Sequence, residues 1–136
     1  MLQIPKKVEY ALIAMRHIAM QPLGSVVTAK EVADRYQIPY DVLAKVLQRL
    51  SKVGLVSSHH GVHGGYGLSR NPSAIFVSEV FQAIEGKPNV AVIQCEAESP
   101  ENCTIHSTCT IKEPLVKIQV EINQMFQHMT VSEMVG

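Results

Sequence analysis

Between Pro39 and Arg70 a helical pattern runs straight into a glycine-rich hairpin, and few small folds accommodate that junction. Leu43, Val46, Leu47 and Leu50 recur at helical spacing and form one apolar stripe, while Tyr40, Asp41, Ala44, Lys45, Gln48, Arg49 and Lys52 fall on the other side. Just upstream, Thr28-Ala29-Lys30-Glu31 has the form of a capping box and predicts a short helix with Ala29, Val32, Ala33 and Tyr36 inward. Gln37-Ile38 makes the tight turn between the two. Two short helices so joined, the second longer and basic on its free face, predict a helix-turn-helix. Leu55 to His59 and Tyr66 to Arg70 then read as two strands around a tip containing Gly61, Gly64 and Gly65, which makes the motif winged. A tip without bulky Cβ groups can come close to a sugar-phosphate backbone.

The flanks extend this pattern. Val8, Ala11, Leu12, Met15, Ile18 and Ala19 mark a first helix that ends before Pro22-Leu23-Gly24. Asn71-Pro72-Ser73 is a turn, and Val77 to Glu85 reads as a further helix with Val80, Phe81 and Ile84 inward, stopped by Gly86 with Pro88 beyond. Its cap is assigned to Ser78, because Phe76 offers no side-chain acceptor. From Lys87 to Thr110 no helical or strand period emerges, and a connection of that length inside a compact domain needs a reason. All three cysteines, Cys95, Cys103 and Cys109, lie in it.

Pro114 then suits a first helical turn, and Leu115, Ile118, Ile122, Met125 and Met129 form a coiled-coil-like seam. A lone helix must bury such a seam, and pairing with its twin in a second subunit is the economical solution; packing back on its own domain is the alternative. Thr130-Val131-Ser132-Glu133 repeats the capping-box form and predicts a short terminal helix or turn. The expected class is mainly α with a small β-hairpin. It divides into a winged helix-turn-helix domain over 1–86, a cysteine-containing loop over 87–110, and a dimerisation helix with a C-terminal segment over 111–136.

With 136 residues there is room for one domain of modest core plus an extension. No run approaches the roughly 20 apolar residues that span a bilayer, and Lys6-Lys7 is followed by no signal core with a cleavage site, so a soluble, cytoplasmic chain without a membrane partner is expected. Three cysteines, an odd number, argue against a disulfide framework. The net charge of zero conceals a division: nine bases stand against four acids up to Arg70, and three against eight beyond it. Such asymmetry fits one polyanion-binding end, although two solvated faces would give the same count. There is no glycine-rich phosphate loop, nucleophile elbow or catalytic carboxylate pair, so neither an enzyme nor a small-molecule substrate is expected. The remote enzymatic alternative is a cysteine nucleophile with His106 as base.

Seven residues separate Cys95 from Cys103 and five separate Cys103 from Cys109. No pair has the two-residue gap of a zinc knuckle or thioredoxin-like motif. Three thiolates on one loop suit an iron-sulfur centre, and three reduced or redox-active thiols without metal also fit. In the wing, strand alternation sends His59 and His60 to opposite faces, which opposes a metal site with His63.

Ile38-Pro39, Leu43, Val46-Leu47, Leu50, Gly54-Leu55-Val56, Ser58, Gly61, Gly64-Gly65-Tyr66, Leu68, Pro72 and Ala83-Ile84-Glu85-Gly86 stand where the Rrf-type family of bacterial repressors has its signature. The chain resembles that family over nearly its whole length. The resemblance implies a homodimeric repressor on a palindromic operator in double-stranded DNA. The recognition helix would enter the major groove with Tyr40, Asp41, Lys45, Gln48 and Arg49, the start of the second helix near Thr28 would meet a phosphate, and His60 and His63 would probe the minor groove. His60 stands where the family commonly has an arginine.

The same resemblance implies an iron-sulfur cluster on Cys95, Cys103 and Cys109, with a spacing more similar to RirA-like members than to IscR-like or NsrR-like ones, and four-iron (4Fe-4S) rather than two-iron (2Fe-2S). The histidine ligand of IscR-like members is missing, since Thr110-Ile111-Lys112 follow Cys109. The acidic ligand of NsrR-like members has its match in Glu9, and His106 is a further candidate. The family's CymR-like branch implies the alternative, a cluster-free regulator controlled by a protein partner or thiol redox state.

Overall fold

The apolar face expected of the first helix is the centre of the structure. In the computed structural model, which describes residues 4–22, 24–62, 64–87 and 112–135, helix α1 (Lys6–Ala19) buries Val8, Ala11, Ala14, Met15, His17 and Ile18. Against it pack α2 (Ala29–Tyr36) and α3 (Tyr40–Lys52), which bury Ala29, Val32 and Ala33, and Leu43, Val46, Leu47 and Leu50. Each stripe read from the sequence therefore meets the common core. Tyr36 is half-buried at its edge.

The turn between α2 and α3 rests on an unusual backbone. Gln37 has φ 55°, a left-handed conformation, and both its N–H and that of Ile38 donate to the Ala33 carbonyl. This closes α2 within one residue and lets Pro39 begin the next helix at once. At the other end of α2 the Thr28 hydroxyl accepts from the Glu31 N–H at 3.1 Å, the first half of a capping box.

Strands β1 (Val56–His59) and β2 (Gly65–Leu68) pair antiparallel, with Val56 opposite Leu68 and His59 opposite Gly65. The segment before α2 adds a one-residue bridge to β2 that the sequence pattern does not announce. Val27 and Tyr66 exchange backbone hydrogen bonds of 2.9 and 2.7 Å. Gly65 makes this possible, because a Cβ there would stand 2.8 Å from the Val27 carbonyl oxygen. Gly64 is bound by the same logic: its Cβ would overlap the His59 carbonyl oxygen.

Beyond the wing, Asn71 caps a 3-10 turn (Pro72–Ala74), and α4 (Val77–Glu85) spans the expected residues and ends at Gly86 with φ 78°. Its start corrects the assignment of Ser78 as cap. The helix begins after Phe76, whose backbone N–H donates to the Glu79 carboxylate at 2.9 Å, so the third helical residue supplies the acceptor that the cap side chain lacks. Glu79 also takes the Arg70 guanidinium at 2.9 Å.

Helix α5 (Lys112–His128) is followed by Met129, Thr130 and the short α6 (Val131–Val135). This tail returns to the domain: Val77 N–H donates to Met129 O, Val131 N–H donates to Ile75 O, and Val131 is fully buried. Arg16 Nε holds α6 through the Met134 carbonyl at 2.9 Å. The first half of the Thr130 box forms, with its hydroxyl accepting from the Glu133 N–H at 3.3 Å. In α5, Phe126 stacks on buried Phe81 with centroids 4.7 Å apart, and Met129 joins the same cluster. The expected seam is thereby divided. Met129 is used by its own domain, whereas Ile118 and Met125 are 44% and 55% exposed.

Candidate nucleic-acid interface

Helix α3 presents two unlike faces because its sequence alternates them at helical period. With Leu43, Val46, Leu47 and Leu50 inward, Tyr40, Asp41, Lys45, Gln48, Arg49 and Lys52 are exposed, and Ala44 is half-buried at the boundary. The outward face thus carries hydrogen-bonding groups of both kinds and three cations, the set needed to read base edges and hold phosphates. Arg49 is the one member tied back to the fold. Its Nε donates to the Ala83 carbonyl at 2.9 Å, which fixes the guanidinium at the edge of α3 beside α4.

Two further features flank this face. Thr28 is exposed at the amino end of α2, where unpaired helical N–H groups and the helix dipole favour an anion. Here the capping box stays half-formed, since the Glu31 carboxylate turns to His17 Nε2 at 3.1 Å. On the other side the wing projects Val62, 97% exposed, next to exposed His60 and Gly61. His59 lies along the same strand face as Ser57, with Nε2 3.4 Å from its hydroxyl. His63 lies outside the described residues, as do Cys95, Cys103, Cys109 and His106.

Glu9, the candidate carboxylate ligand, sits half-buried in the first turn of α1, and Lys6 pairs with it at 3.1 Å. That lysine is largely exposed, so the pair is readily exchanged.

Sequence reasoning missed His17. It is 4% exposed, between Met15 and Ile18 on the apolar face, and its Nδ1 lies 2.9 Å from the Tyr36 hydroxyl while Nε2 meets Glu31. A polar ring inside an apolar stripe, facing a tyrosine already placed inward, was the available signal. Among the described residues no helix is long and apolar enough to cross a membrane.

Comparison with known proteins places this arrangement. Residues 4–136 match the Rrf2 family, described as an iron-dependent transcriptional regulator. The HTH-type transcriptional regulator NsrR of Shouchella clausii is 29% identical over 134 residues, covering 98% of this chain and 89% of that protein. NsrR of Halalkalibacterium halodurans is 29% identical over 111 residues, covering 82% and 75%. Among solved structures, CymR, the global cysteine regulator of B. subtilis, superposes with a TM-score of 0.80 at 23% identity, covering 99% of this chain and 97% of that one. IscR of T. potens gives 0.74 at 24% identity, covering 98% and 86%. These structural likenesses establish the winged-helix fold.

Proposed function

The chain belongs to the Rrf2 family of transcriptional regulators, and on that premise we propose that it is a homodimeric repressor whose operator affinity is set by an iron-sulfur cluster. Its family and relatives are regulators rather than enzymes. The observation that carries the DNA reading is the outward face of α3, where Tyr40, Asp41, Lys45 and Gln48 stand exposed on a helix anchored by four buried aliphatic residues. Such a helix fits the major groove, and the exposed wing with His60 and His63 suits the adjacent minor groove. Thr28 and the start of α2 serve a phosphate.

Cys95, Cys103 and Cys109 would hold the cluster, with Glu9 as the fourth ligand, and four-iron is the preferred form. The donor set fits: three soft thiolates suit iron-sulfur chemistry, and a carboxylate whose partner is an exposed lysine is free to be recruited. When bound, the group would supply a centre that iron, oxygen or nitric oxide can alter. Second-subunit contact falls to the exposed Ile118 and Met125 side of α5, which the domain leaves uncovered. Two-fold symmetry then calls for a palindromic operator.

The test combines spectrum and affinity. Protein purified without oxygen should show broad visible absorption with matching iron and sulfide, and Cys103→Ala should lose it and change operator affinity. A colourless, iron-free protein that resists reconstitution would leave the cluster-free alternative, a DNA-binding dimer governed by thiols or a protein partner. For the interface, Lys45→Ala should lower the slope of log affinity against log salt by about one. An unchanged slope would remove Lys45 from the phosphate contacts.

A further inference from the structure

One flank of α3 has properties that a DNA backbone does not use. Val42, Lys45, Val46 and Arg49 share that flank, and with Lys7 of α1 and Ile84 of α4 they line a cleft of about 460 Å3. Three lining residues are cations, three are aliphatic and none is acidic. Lys7 and Lys45 are exposed, and among the described residues the carboxylates in close contact with a basic side chain are Glu9 with Lys6, Glu31 with His17 and Glu79 with Arg70, so none of them pairs with this cluster. Arg49 is already held at the wall by its bond to the Ala83 carbonyl, which leaves the terminal guanidinium nitrogens for another acceptor.

We propose that this cleft binds an aliphatic carboxylate, its acid group on Lys7, Lys45 and Arg49 and its hydrocarbon chain over Val42, Val46 and Ile84. Like charges collected without an acid repel one another, and an anion relieves that cost. A phosphodiester would use the cations and leave the half-buried Val42 and Ile84 in water, whereas a hydrocarbon tail covers them against buried Val46. The size is that of small-ligand sites, and three cations disfavour a ligand carrying its own ammonium group. Lys45, like Arg49, belongs both to this cleft and to the outward face of α3. Occupation of the cleft therefore competes with DNA for Lys45, a consequence that rests on the DNA reading above, while binding itself does not.

Calorimetric titration of the full-length protein with octanoate, acetate and inorganic phosphate tests the site. Octanoate should saturate at one per chain and bind about tenfold tighter than acetate or phosphate. Lys7→Gln and Arg49→Gln should each weaken octanoate by roughly fivefold or more. Ile84→Ala should weaken octanoate and leave phosphate unchanged. Lys6→Ala, which removes a neighbouring charge paired with Glu9, should have no effect. Equal binding of octanoate and phosphate would reveal a bare anion site and overturn the proposal, as would octanoate binding indifferent to Lys7→Gln and Ile84→Ala. Octanoate should also lower operator affinity; binding without that effect refutes the competition, and a protein with no DNA affinity at all refutes the earlier reading while the calorimetry still decides the cleft.

Discussion

His17 Nε2 lies 3.1 Å from Glu31 Oε2, and this contact joins the scaffold helix to the first turn of the helix-turn-helix. A carboxylate only accepts, so Nε2 carries the proton, and in the neutral ring Nδ1 accepts from the Tyr36 hydroxyl 2.9 Å away. One buried ring thereby holds both ends of α2. His17→Leu should cost about 1–3 kcal/mol by urea denaturation, because it strands two polar partners. Glu31→Ala should cost less, roughly 1 kcal/mol or below, since that carboxylate is half exposed. Equal costs would mean that the ring contributes nothing beyond its hydrogen bond to Glu31.

Gln37 occupies left-handed backbone at φ 55° without being glycine. That conformation costs a residue with a Cβ about 1–2 kcal/mol, and glycine recovers most of it while losing some unfolded-state entropy. Gln37→Gly should raise stability by up to about 1 kcal/mol, and Gln37→Val should lower it. A fall in melting temperature for the glycine variant would show that the Gln37 side chain stabilises the turn.

In the wing, a methyl group at Gly64 meets the His59 carbonyl oxygen, which is backbone and can yield only if the hairpin opens. Gly64→Ala should destabilise by about 1–3 kcal/mol and weaken operator binding more than stability alone accounts for. Gly61→Ala has open space at its Cβ and only its left-handed φ of 110° to overcome. Melting curves and fluorescence anisotropy on labelled duplex would separate the two.

The wing residue His60 offers a gain-of-function test. His60→Arg should tighten operator binding, because a permanent cation is drawn into the negative potential of a narrow minor groove. Unchanged affinity would place His60 away from the minor groove.

Phe126 is the residue that fixes α5 to its domain through Phe81. Phe126→Ala should cost about 2 kcal/mol, as expected for a partly buried ring in a stacked pair. Ile118→Lys leaves that pair intact and should dissociate the proposed dimer, read by sedimentation equilibrium. A dimer that survives Ile118→Lys would move the subunit contact elsewhere.

Where a local pattern decided the answer, the sequence was legible: the stripe of α3, the span of α4 up to Gly86 and the short helix after Thr130 all stand as read. The outward residues of α3 followed at once, being whatever the stripe excluded. Single-residue pairings were not legible, because Val27 against Tyr66 and Phe76 against Thr130 have no period to betray them. Glu31 illustrates a different limit. Its position fits a capping box, yet a buried histidine from another helix outcompetes the local N–H, and only tertiary packing reveals that rival. Phe126 was overlooked for a simpler reason, since the expected seam passed through Met125 and a neighbouring position one step around the helix faces the domain instead.

The far end of α5 is riveted by the Phe81–Phe126 stack and by the backbone bonds on either side of Thr130, while Glu113, Pro114, Lys117 and Ile118 near its start are exposed. A helix held this way is a lever with its fulcrum at the aromatic stack. From Phe126 back to Lys112 the arm is about 21 Å at the usual helical rise, so a tilt of roughly 5° at the fulcrum carries the start of the helix through about 2 Å. Motions too small to disturb the core around Phe81 would be amplified where the helix begins, a mechanical advantage set by where a single phenylalanine sits along the rod.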